Sequence, residues 1–283
     1  MADPRRTAHD LGPDDLVWDH FSRARNEAIA PRVEAAAAAG YAAIGVFLGS
    51  WAQLRADPAQ LEAVDEALDA TGLVVANIET LRGWAVPGPN EALATQEALA
   101  YDMADHWGCR YVQVIGDAEG PLDRAAEGFA ALCDRAADHG LAVGLEWVPS
   151  MTNIGDASTA LQIVLDADRA NGGLCVDSWH FTRSTNRLDD LRAIPGEKVV
   201  ATQWNDGTVP AQNPNYYEDT LSNRVVPGEG EFALEEILRI LDGAGSRAPL
   251  GMEVCSAELW AAPVEEAARR AADAMRSLLS RVR

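Results

Sequence analysis

The chain has 283 residues, enough for one large α/β domain or two smaller domains. It carries 44 Asp and Glu residues against 23 Lys and Arg residues, a formal net charge of -21, so its surface should repel nucleic acids and anionic membranes. Its 4 Cys residues are widely spaced, which disfavours a zinc knuckle and a disulfide framework. Because the N-terminus has no apolar leader and no stretch is apolar enough to span a membrane, we expect a cytoplasmic protein.

The predicted elements alternate between strand and helix along nearly the whole chain. Residues 1–14 are polar and contain Pro and Gly, so we predict a loose lead-in before a short, aromatic first strand. Pro31 and Gly40 then bracket an Ala-rich helix, the usual placement of these residues at the two ends of a helix. Strands are predicted at 16–21, 42–48, 73–79, 110–115, 141–146, 174–176, 199–204 and 250–254. Helices are predicted at 32–39, 58–70, 90–107, 122–139, 156–170, 188–193, 231–241 and 263–279.

Strands that each precede a helix predict a single (β/α)8 TIM barrel over residues 1–283. An open, doubly wound sheet is the alternative, because the alternation does not show whether the sheet closes. The first clear strand disfavours that alternative, since it is followed by Gly49 alone where a dinucleotide-binding turn needs three glycines. The segment 207–230 is rich in Pro, Asn, Gly and Tyr, and we predict that it forms a long loop over the pocket.

Polar side chains stand at the ends of four predicted strands. They are Glu146, Asp177, Gln203 and Glu253. In a barrel these ends converge on one pocket, and three carboxylates with an amide oxygen suit a hard divalent cation. We therefore expect a metal site, with Mn²⁺ favoured and Mg²⁺ or Co²⁺ as alternatives. For any single acid, exposure to water or an ion pair with Arg is an equally good explanation.

Further residues near the strand ends are candidates for substrate contact. They are His180, Glu79, Arg183, Arg224, Trp179 and Asp206. A histidine near a strand is often a hydrogen-bonded core group, although metal binding is also open to it. Glu79 has the alternative of a salt bridge to Arg82, and the two arginines have the alternative of surface ion pairs. Tryptophan offers an aromatic face to a sugar ring, but it equally packs beneath loops.

These residues fall into motifs that resemble a known family. The motifs are Gly144-Leu-Glu146, Val176-Asp-Ser-Trp-His180 with Arg183, Gln203-Trp-Asn-Asp206, Arg224 with Pro227-Gly-Glu-Gly230, and Met252-Glu-Val254. In order and spacing they resemble the sugar phosphate isomerase/epimerase family of xylose-isomerase-like TIM barrels, in the AP endonuclease family 2 superfamily. The resemblance covers the C-terminal half, and residues 30–140 agree with the family only in pattern.

The resemblance implies roles for the strand-end residues. Glu146, Asp177, Gln203 and Glu253 correspond to metal ligands, Glu146 and Glu253 to an acid/base pair, and His180 to a substrate-binding residue. Many members have His where this chain has Gln203, although a Gln-x-x-Asp version resembles one subgroup. The superfamily includes an endonuclease branch with three zinc ions, but this chain has only 5 His residues and is strongly acidic, which disfavours that branch.

The predicted function is a divalent-metal-dependent sugar isomerase or epimerase that transfers a proton next to the carbonyl of a keto-sugar or polyol-like substrate. The alternative is a metal-dependent lyase or dehydratase acting on a 3-oxo-glycoside or a dehydroshikimate-like acid. A third hypothesis, from another class, is a non-catalytic sugar-binding barrel. The expected partner is a small carbohydrate-like molecule, with no nucleic acid and no membrane, and a homo-oligomer is left open.

Overall fold

Eight parallel strands form a closed barrel in a computed structural model that describes residues 6–24, 26–116, 122–149 and 153–283. The strands are β1 Leu16–Trp18, β2 Ala43–Phe47, β3 Val74–Leu81, β4 Tyr111–Ile115, β5 Ala142–Glu146, β6 Gly172–Asp177, β7 Val199–Trp204 and β8 Leu250–Met252. Each strand pairs with the next one along the chain, and β8 pairs with β1 in register Val17 to Gly251. The predicted barrel is confirmed, and the open-sheet alternative is wrong because β1 closes the sheet.

Helices surround the barrel and connect its strands. They are α1 Ile29–Ala38, α2 Leu48–Ala56, α3 Pro58–Thr71, α4 Glu91–Trp107, α5 Ala125–Ala137, α6 Ala157–Ala167, α7 Ser178–Arg183, α8 Leu188–Arg192, α9 Tyr216–Ser222, α10 Leu234–Gly243, α11 Ala257–Ala261 and α12 Val264–Val282. In the part of the chain that the structure describes, no helix is long and apolar enough to cross a membrane.

Local sequence explains where the longer helices begin and end. The Asp57 side chain accepts a hydrogen bond from the backbone of the first turn of α3, and Pro58 occupies its first position. Asn90 caps α4 in the same way, accepting from the Leu93 backbone N–H at 3.1 Å. Both helices end at a glycine in the left-handed region, Gly72 at φ 74° and Gly108 at φ 70°, where a side chain would be strained.

The barrel interior changes from apolar to polar along the strands. In three strands a core residue is followed, two positions later on the same face, by a polar residue. The pairs are Tyr111 and Gln113 in β4, Cys175 and Asp177 in β6, and Ala201 and Gln203 in β7. Parallel strands therefore place their polar residues together at the C-terminal end of the barrel, where the sites of this fold are built.

Four short helices were not expected from the sequence: α2, α7, α9 and α11. They have between 5 and 9 residues, over which a helical period is a weak signal, although α8 was predicted with only 5 residues. Because α9 lies within 207–230, that segment is partly helical rather than a loop throughout. In the expected lead-in, residues 1–5 are outside the described residues, Ala8–Asp10 form a 3-10 helix and Leu11 is buried against the barrel.

Candidate active site

A cavity of about 460 Å³ opens at the C-terminal end of the barrel. One wall is apolar and includes Phe21, Phe47 and Leu99. Its polar lining is Thr80, Arg82, Gln96, Gln113, Glu146, His180, Tyr216, Tyr217, Thr220, Arg224 and Glu253. The volume is that of a small-molecule site, and the polar groups converge on one region as such sites require.

Glu146, Asp177 and His180 stand together in this region. One potential ligating atom from each lies within 4.8 Å of the others, and all three residues are buried. His180 Nε2 is 3.3 Å from Glu146 Oε1 and 3.7 Å from Asp177 Oδ2. Burial lowers the pKa of His180 to about 4, so the imidazole is neutral at neutral pH.

Arg224 joins Asp177 to Glu253. Its Nη1 atom donates to Asp177 Oδ2 at 2.8 Å and to Glu253 Oε2 at 2.9 Å, and its Nε atom donates to the Thr220 carbonyl at 3.1 Å. The guanidinium is buried, with 2% of its residue surface exposed. Burial opposes the charge on Arg224, but the surrounding acids, Asp177 foremost, raise its pKa well above the ordinary value.

The three acids of the site have different protonation tendencies. Burial raises the pKa of Glu146 well above its usual range, and the charges of Glu253 and Asp177 add to this effect. Burial likewise raises the pKa of Glu253 to about 8, although Arg224 opposes the shift. Burial acts in the same direction on Asp177, but Arg224 and accepted hydrogen bonds hold its pKa below the ordinary value. The site therefore contains two acids suited to hold a proton near neutral pH and one acid that stays ionised.

Gln113 orients Glu146 and connects it to Gln203. Its side-chain N–H donates to Glu146 Oε2 at 2.6 Å, and its oxygen accepts from Gln203 Nε2 at 3.3 Å. The Gln203 oxygen accepts from Cys175 Sγ at 3.4 Å, so in this orientation of the amide it is directed into the barrel rather than at the three acids. Gln203 therefore reaches Glu146 through Gln113 and does not itself line the cavity.

The residues fit a divalent cation. Three carboxyl groups, those of Glu146, Asp177 and Glu253, face a single guanidinium, which leaves two negative charges in excess when all are ionised. Glu146 Oε1 is buried and accepts no hydrogen bond within the described residues. An orphaned buried carboxylate oxygen beside a second acid is costly without a positive partner, and oxygen donors are the ligands of hard cations.

Glu79 belongs to a second, separate acid cluster at the ends of β1 and β3, the Asp19–Asn77–Glu79 cluster. The Asn77 amide donates to Asp19 Oδ1 at 3.0 Å and to Glu79 Oε1 at 2.8 Å, and the His20 backbone N–H donates to the same Glu79 oxygen at 3.1 Å. Neither acid lines the cavity. The salt bridge considered for Glu79 is absent among the described residues, because Arg82 lies on the cavity wall and Glu79 is fully buried.

Three other predicted substrate contacts do not line the cavity. Arg183 donates to Asp219 Oδ2 at 3.1 Å and lies 4.2 Å from the centre of the Trp179 ring. Asp206 accepts from the backbone N–H groups of Gly207 and Phe232 at 2.8 and 3.0 Å. In the structure these residues hold the segment 207–230 against the barrel, and their proposed contact with substrate stays a prediction.

Sequence reasoning gave no site role to Arg82 or Gln113, two of the polar residues that line the cavity, and it placed Tyr216 only in a loop over the pocket. Gln113 had a signal, since it is the one polar residue within the apolar run of β4. The pattern gave no corresponding indication for Arg82, which follows the end of β3, or for a contact between Tyr216 and His180. Their side chains reach the cavity because of how these connections fold over the barrel.

A comparison with protein families identifies the fold family. The profile of the xylose isomerase-like TIM barrel family matches residues 33–278. The chain belongs to this family. The predicted family is thereby confirmed, and the match extends well beyond the C-terminal half that carried the motifs.

The relatives in this family include enzymes of more than one reaction class. A 3-dehydroshikimate dehydratase of Pseudomonas aeruginosa is 32% identical over 166 residues, which are 59% of this chain and 25% of that protein. An inosose isomerase of Bacillus licheniformis is 28% identical over 160 residues, which are 56% of this chain and 55% of that protein. This chain thus matches about a quarter and about half of the lengths of these two relatives.

A solved structure supports the fold over the whole barrel. The crystal structure of the IOLI protein with a bound zinc atom superposes with a TM-score of 0.83 at 19% identity, covering 95% of this chain and 99% of that chain. This likeness concerns the barrel architecture, and the zinc is a property of that protein.

Proposed function

We propose that this protein is a divalent-metal-dependent enzyme that transfers a proton next to the carbonyl of a polyhydroxylated, sugar-like ketone. The observation that carries the proposal is the presence of two buried acids with raised pKa values, Glu146 and Glu253, on the wall of one cavity beside the ionised Asp177. General acids and bases work best with pKa values near the working pH, and burial with like charges is how proteins achieve this.

In the proposed mechanism Glu146, Asp177 and Glu253 would hold the cation. Gln203, the fourth ligand by family resemblance, would first have to turn its amide, because its oxygen accepts from Cys175 Sγ in the structure. The bound cation supplies Lewis-acid polarisation of the substrate carbonyl. Glu146, held by Gln113, takes the proton from the carbon next to the carbonyl. Glu253 serves as the second proton-transfer group, and Arg224 keeps it in place through the 2.9 Å contact. His180 contacts a substrate oxygen from the same wall.

We propose dehydration as the overall reaction, with a cyclic hydroxy-ketone carboxylate of the dehydroshikimate type as substrate. One acid takes the proton next to the carbonyl, its electron pair forms a carbon–carbon double bond, and the β-hydroxyl leaves as water with a proton from the second acid. Two features support this class. A relative is named for it. Arg82 lines the cavity, is exposed and forms no ion pair within the described residues, so its guanidinium is available for a substrate carboxylate.

The test combines metal analysis with a substrate screen. The purified protein is analysed for bound metal and then assayed, after chelation and return of Mn²⁺, Mg²⁺ or Co²⁺, for loss of water from 3-dehydroshikimate. We expect metal-dependent dehydration. Dehydration that is unaffected by chelator, or binding of sugars with no turnover on any substrate, would contradict the proposal and favour the non-catalytic barrel.

Arg82 provides a sharper test of the substrate class. We expect Arg82→Gln to raise KM for the carboxylated substrate by about tenfold to a hundredfold with little change in kcat, because a charge-assisted contact worth about 1.5–3 kcal/mol is lost. Arg187→Gln is the control, since Arg187 is exposed and does not line the cavity. An unchanged KM in Arg82→Gln would rule out the carboxylate contact.

Isomerisation or epimerisation of a keto-sugar is the second candidate. The paired acids favour it, because one can remove a proton and the other can return it, and a relative is named inosose isomerase. The two reactions are separated by running the assay in D₂O. Deuterium at the carbon next to the carbonyl in an isomeric product supports isomerisation, whereas a dehydrated product supports the leading proposal.

A further inference from the structure

The two ring nitrogens of His180 have different surroundings. Nε2 faces the acids of the cavity, with Glu146 Oε1 at 3.3 Å. Nδ1 points away from them and forms a short hydrogen bond with the hydroxyl of Tyr216, whose ring stacks on the imidazole with centroids 6.0 Å apart. In a neutral imidazole one nitrogen carries the proton and the other a lone pair, and the partner of the outer nitrogen decides which.

The direction of the hydrogen bond between Tyr216 and His180 follows from the groups that surround the two residues. The Trp179 indole N–H, which can only donate, donates to Thr220 Oγ1 at 3.0 Å. The Thr220 hydroxyl, on the same helix as Tyr216, therefore keeps its own proton free to donate. His180 Nε2 faces carboxyl oxygens of Glu146 and Asp177 at 3.3 and 3.7 Å, which favours the ring proton on Nε2. The lone pair on Nδ1 then accepts the proton of the Tyr216 hydroxyl. Trp179, His180 and Thr220 are buried, with at most 9% of their surface exposed, whereas Tyr216 is half-buried on the cavity wall.

We infer that Tyr216 is a positioning residue that holds His180 in the tautomer with the proton on Nε2. His180 then presents an N–H to the cavity, where it is available to an oxygen of the substrate. It presents no lone pair to a cation. His180 is thereby outside the metal-ligand set, although one of its nitrogens lies close to two of the proposed ligands.

This role ties the long segment 207–230 to the active site. Tyr216 and Thr220 both lie on α9, and the Thr220 carbonyl also accepts from Arg224 Nε at 3.1 Å. One short helix thus positions both the histidine and the arginine of the site. The tautomer is a property of the protein alone, whereas its importance for turnover rests on the proposed function.

The tautomer is measured directly by NMR. In protein labelled with ¹⁵N-histidine, long-range ¹H–¹⁵N correlations distinguish the protonated nitrogen from the lone-pair nitrogen, and His180→Gln assigns the signals among the 5 histidines. We expect a protonated Nε2 in the wild type and a shift of population towards a protonated Nδ1 in Tyr216→Phe. Tyr217→Phe is the matched control, since Tyr217 is adjacent and 46% exposed, and we expect it to leave the tautomer unchanged.

A wild-type signal with the proton on Nδ1, or an unchanged signal in Tyr216→Phe, overturns the inference. Both outcomes are independent of any substrate, so a failure here is distinguishable from failure of the proposed dehydration. In a protein that does turn over, we also expect Tyr216→Phe to lower kcat by about tenfold, the effect of one hydrogen-bond contribution near 1.4 kcal/mol.

Metal binding gives a second readout. In titrations of the metal-free protein with Mn²⁺, we expect His180→Gln to bind with an affinity within about threefold of the wild type. Glu146→Gln should bind at least tenfold more weakly, because it replaces a charged ligand. If His180→Gln loses Mn²⁺ to the same extent as Glu146→Gln, His180 is a ligand through an unprotonated Nε2, and the inference is wrong.

Discussion

The barrel contains two clusters of buried acids that differ in what surrounds them. Glu146 and Glu253, which stand with Asp177 and Arg224, line the cavity and face a guanidinium. The Asp19–Asn77–Glu79 cluster is equally buried, but it is held by an amide and a backbone N–H and does not line the cavity. Each cluster also has buried carboxylate oxygens without hydrogen bonds within the described residues.

This difference shows that burial and raised pKa values alone do not identify an active site. Burial raises the pKa of Glu79 to about 7, much as it raises the pKa of Glu253 to about 8. What separates the two acids is access: a substrate can reach Glu253 through the cavity, and it cannot reach Glu79. A functional acid needs both a suitable pKa and an approach for the reacting atoms.

The largest expected effect is on catalysis by the cavity cluster. We expect Glu146→Gln and Glu253→Gln each to lower kcat by about 10²- to 10⁴-fold, because each removes a proton-transfer group while preserving side-chain shape. Glu79→Gln should change kcat by less than about tenfold. The measurement is kcat for the three variants, with circular dichroism to show that each is folded. Equal losses in all three would abolish the distinction between the clusters.

The next effect is on stability and concerns Arg224. We expect Arg224→Gln to lower the free energy of unfolding of the metal-free protein by about 3–5 kcal/mol, since it leaves Asp177 and Glu253 buried without their positive partner. Added Mn²⁺ should restore part of this loss by supplying charge to the same acids. Urea unfolding with and without Mn²⁺ measures both quantities.

Arg183→Gln is the matched control for that experiment. Arg183 and Arg224 both lie over the Trp179 ring, at 4.2 and 5.5 Å from its centre. The ion pair of Arg183 with Asp219 is nearly inaccessible to solvent, so its loss should destabilise the protein as well. Because Asp219 is not one of the cavity acids, Mn²⁺ should restore no more stability to this variant than to the wild type. A larger metal rescue of Arg183→Gln than of Arg224→Gln would contradict the assignment of the cation to the cavity acids.

The smallest expected effect is a pH dependence of stability from the closed cluster. Glu79 has a pKa of about 7 in the folded protein and an ordinary value of 4.5, so between these pH values the unfolded chain has lost a proton that the folded protein keeps. Raising the pH through this window therefore favours unfolding, and Glu79 contributes a loss of up to about 3 kcal/mol by pH 7. We expect Glu79→Gln to remove this loss, as measured by urea unfolding between pH 4.5 and pH 8.

Neighbouring charged groups also contribute to the pH dependence of stability around Glu79. Burial, with the charges of Glu79 and Glu253, raises the pKa of Asp19 as well, so a decline of the same sign persists in the variant. Arg32 opposes the shift of Glu79. Glu62→Gln, at an exposed position on α3, is the control and should keep the full wild-type pH dependence. A Glu79→Gln profile that matches this control would show that Glu79 is ionised in the folded protein at pH 5.

Much of the fold was predictable because the signals are local. Helix caps such as Asn90 and terminating glycines such as Gly72 mark where helices begin and end. Runs of apolar residues indicated all eight strands of the barrel. The polar residues that end β5 and β6, Glu146 and Asp177, were found in the same way. The short helices α2, α7, α9 and α11 were not predicted, because over so few residues the helical period of apolar residues is a weak signal.

The sequence by itself determined the alternation of strand and helix and the polar ends of the strands, because both depend on the order of residues within one element. Only the tertiary structure decided which acids share a cavity. It placed Arg224 between Asp177 and Glu253, residues that lie 47 and 29 positions away from it along the chain. It also enclosed Glu79 and positioned Tyr216 on His180. The reason is that access, charge pairing and pKa depend on which distant segments cover a side chain, and no local pattern records that.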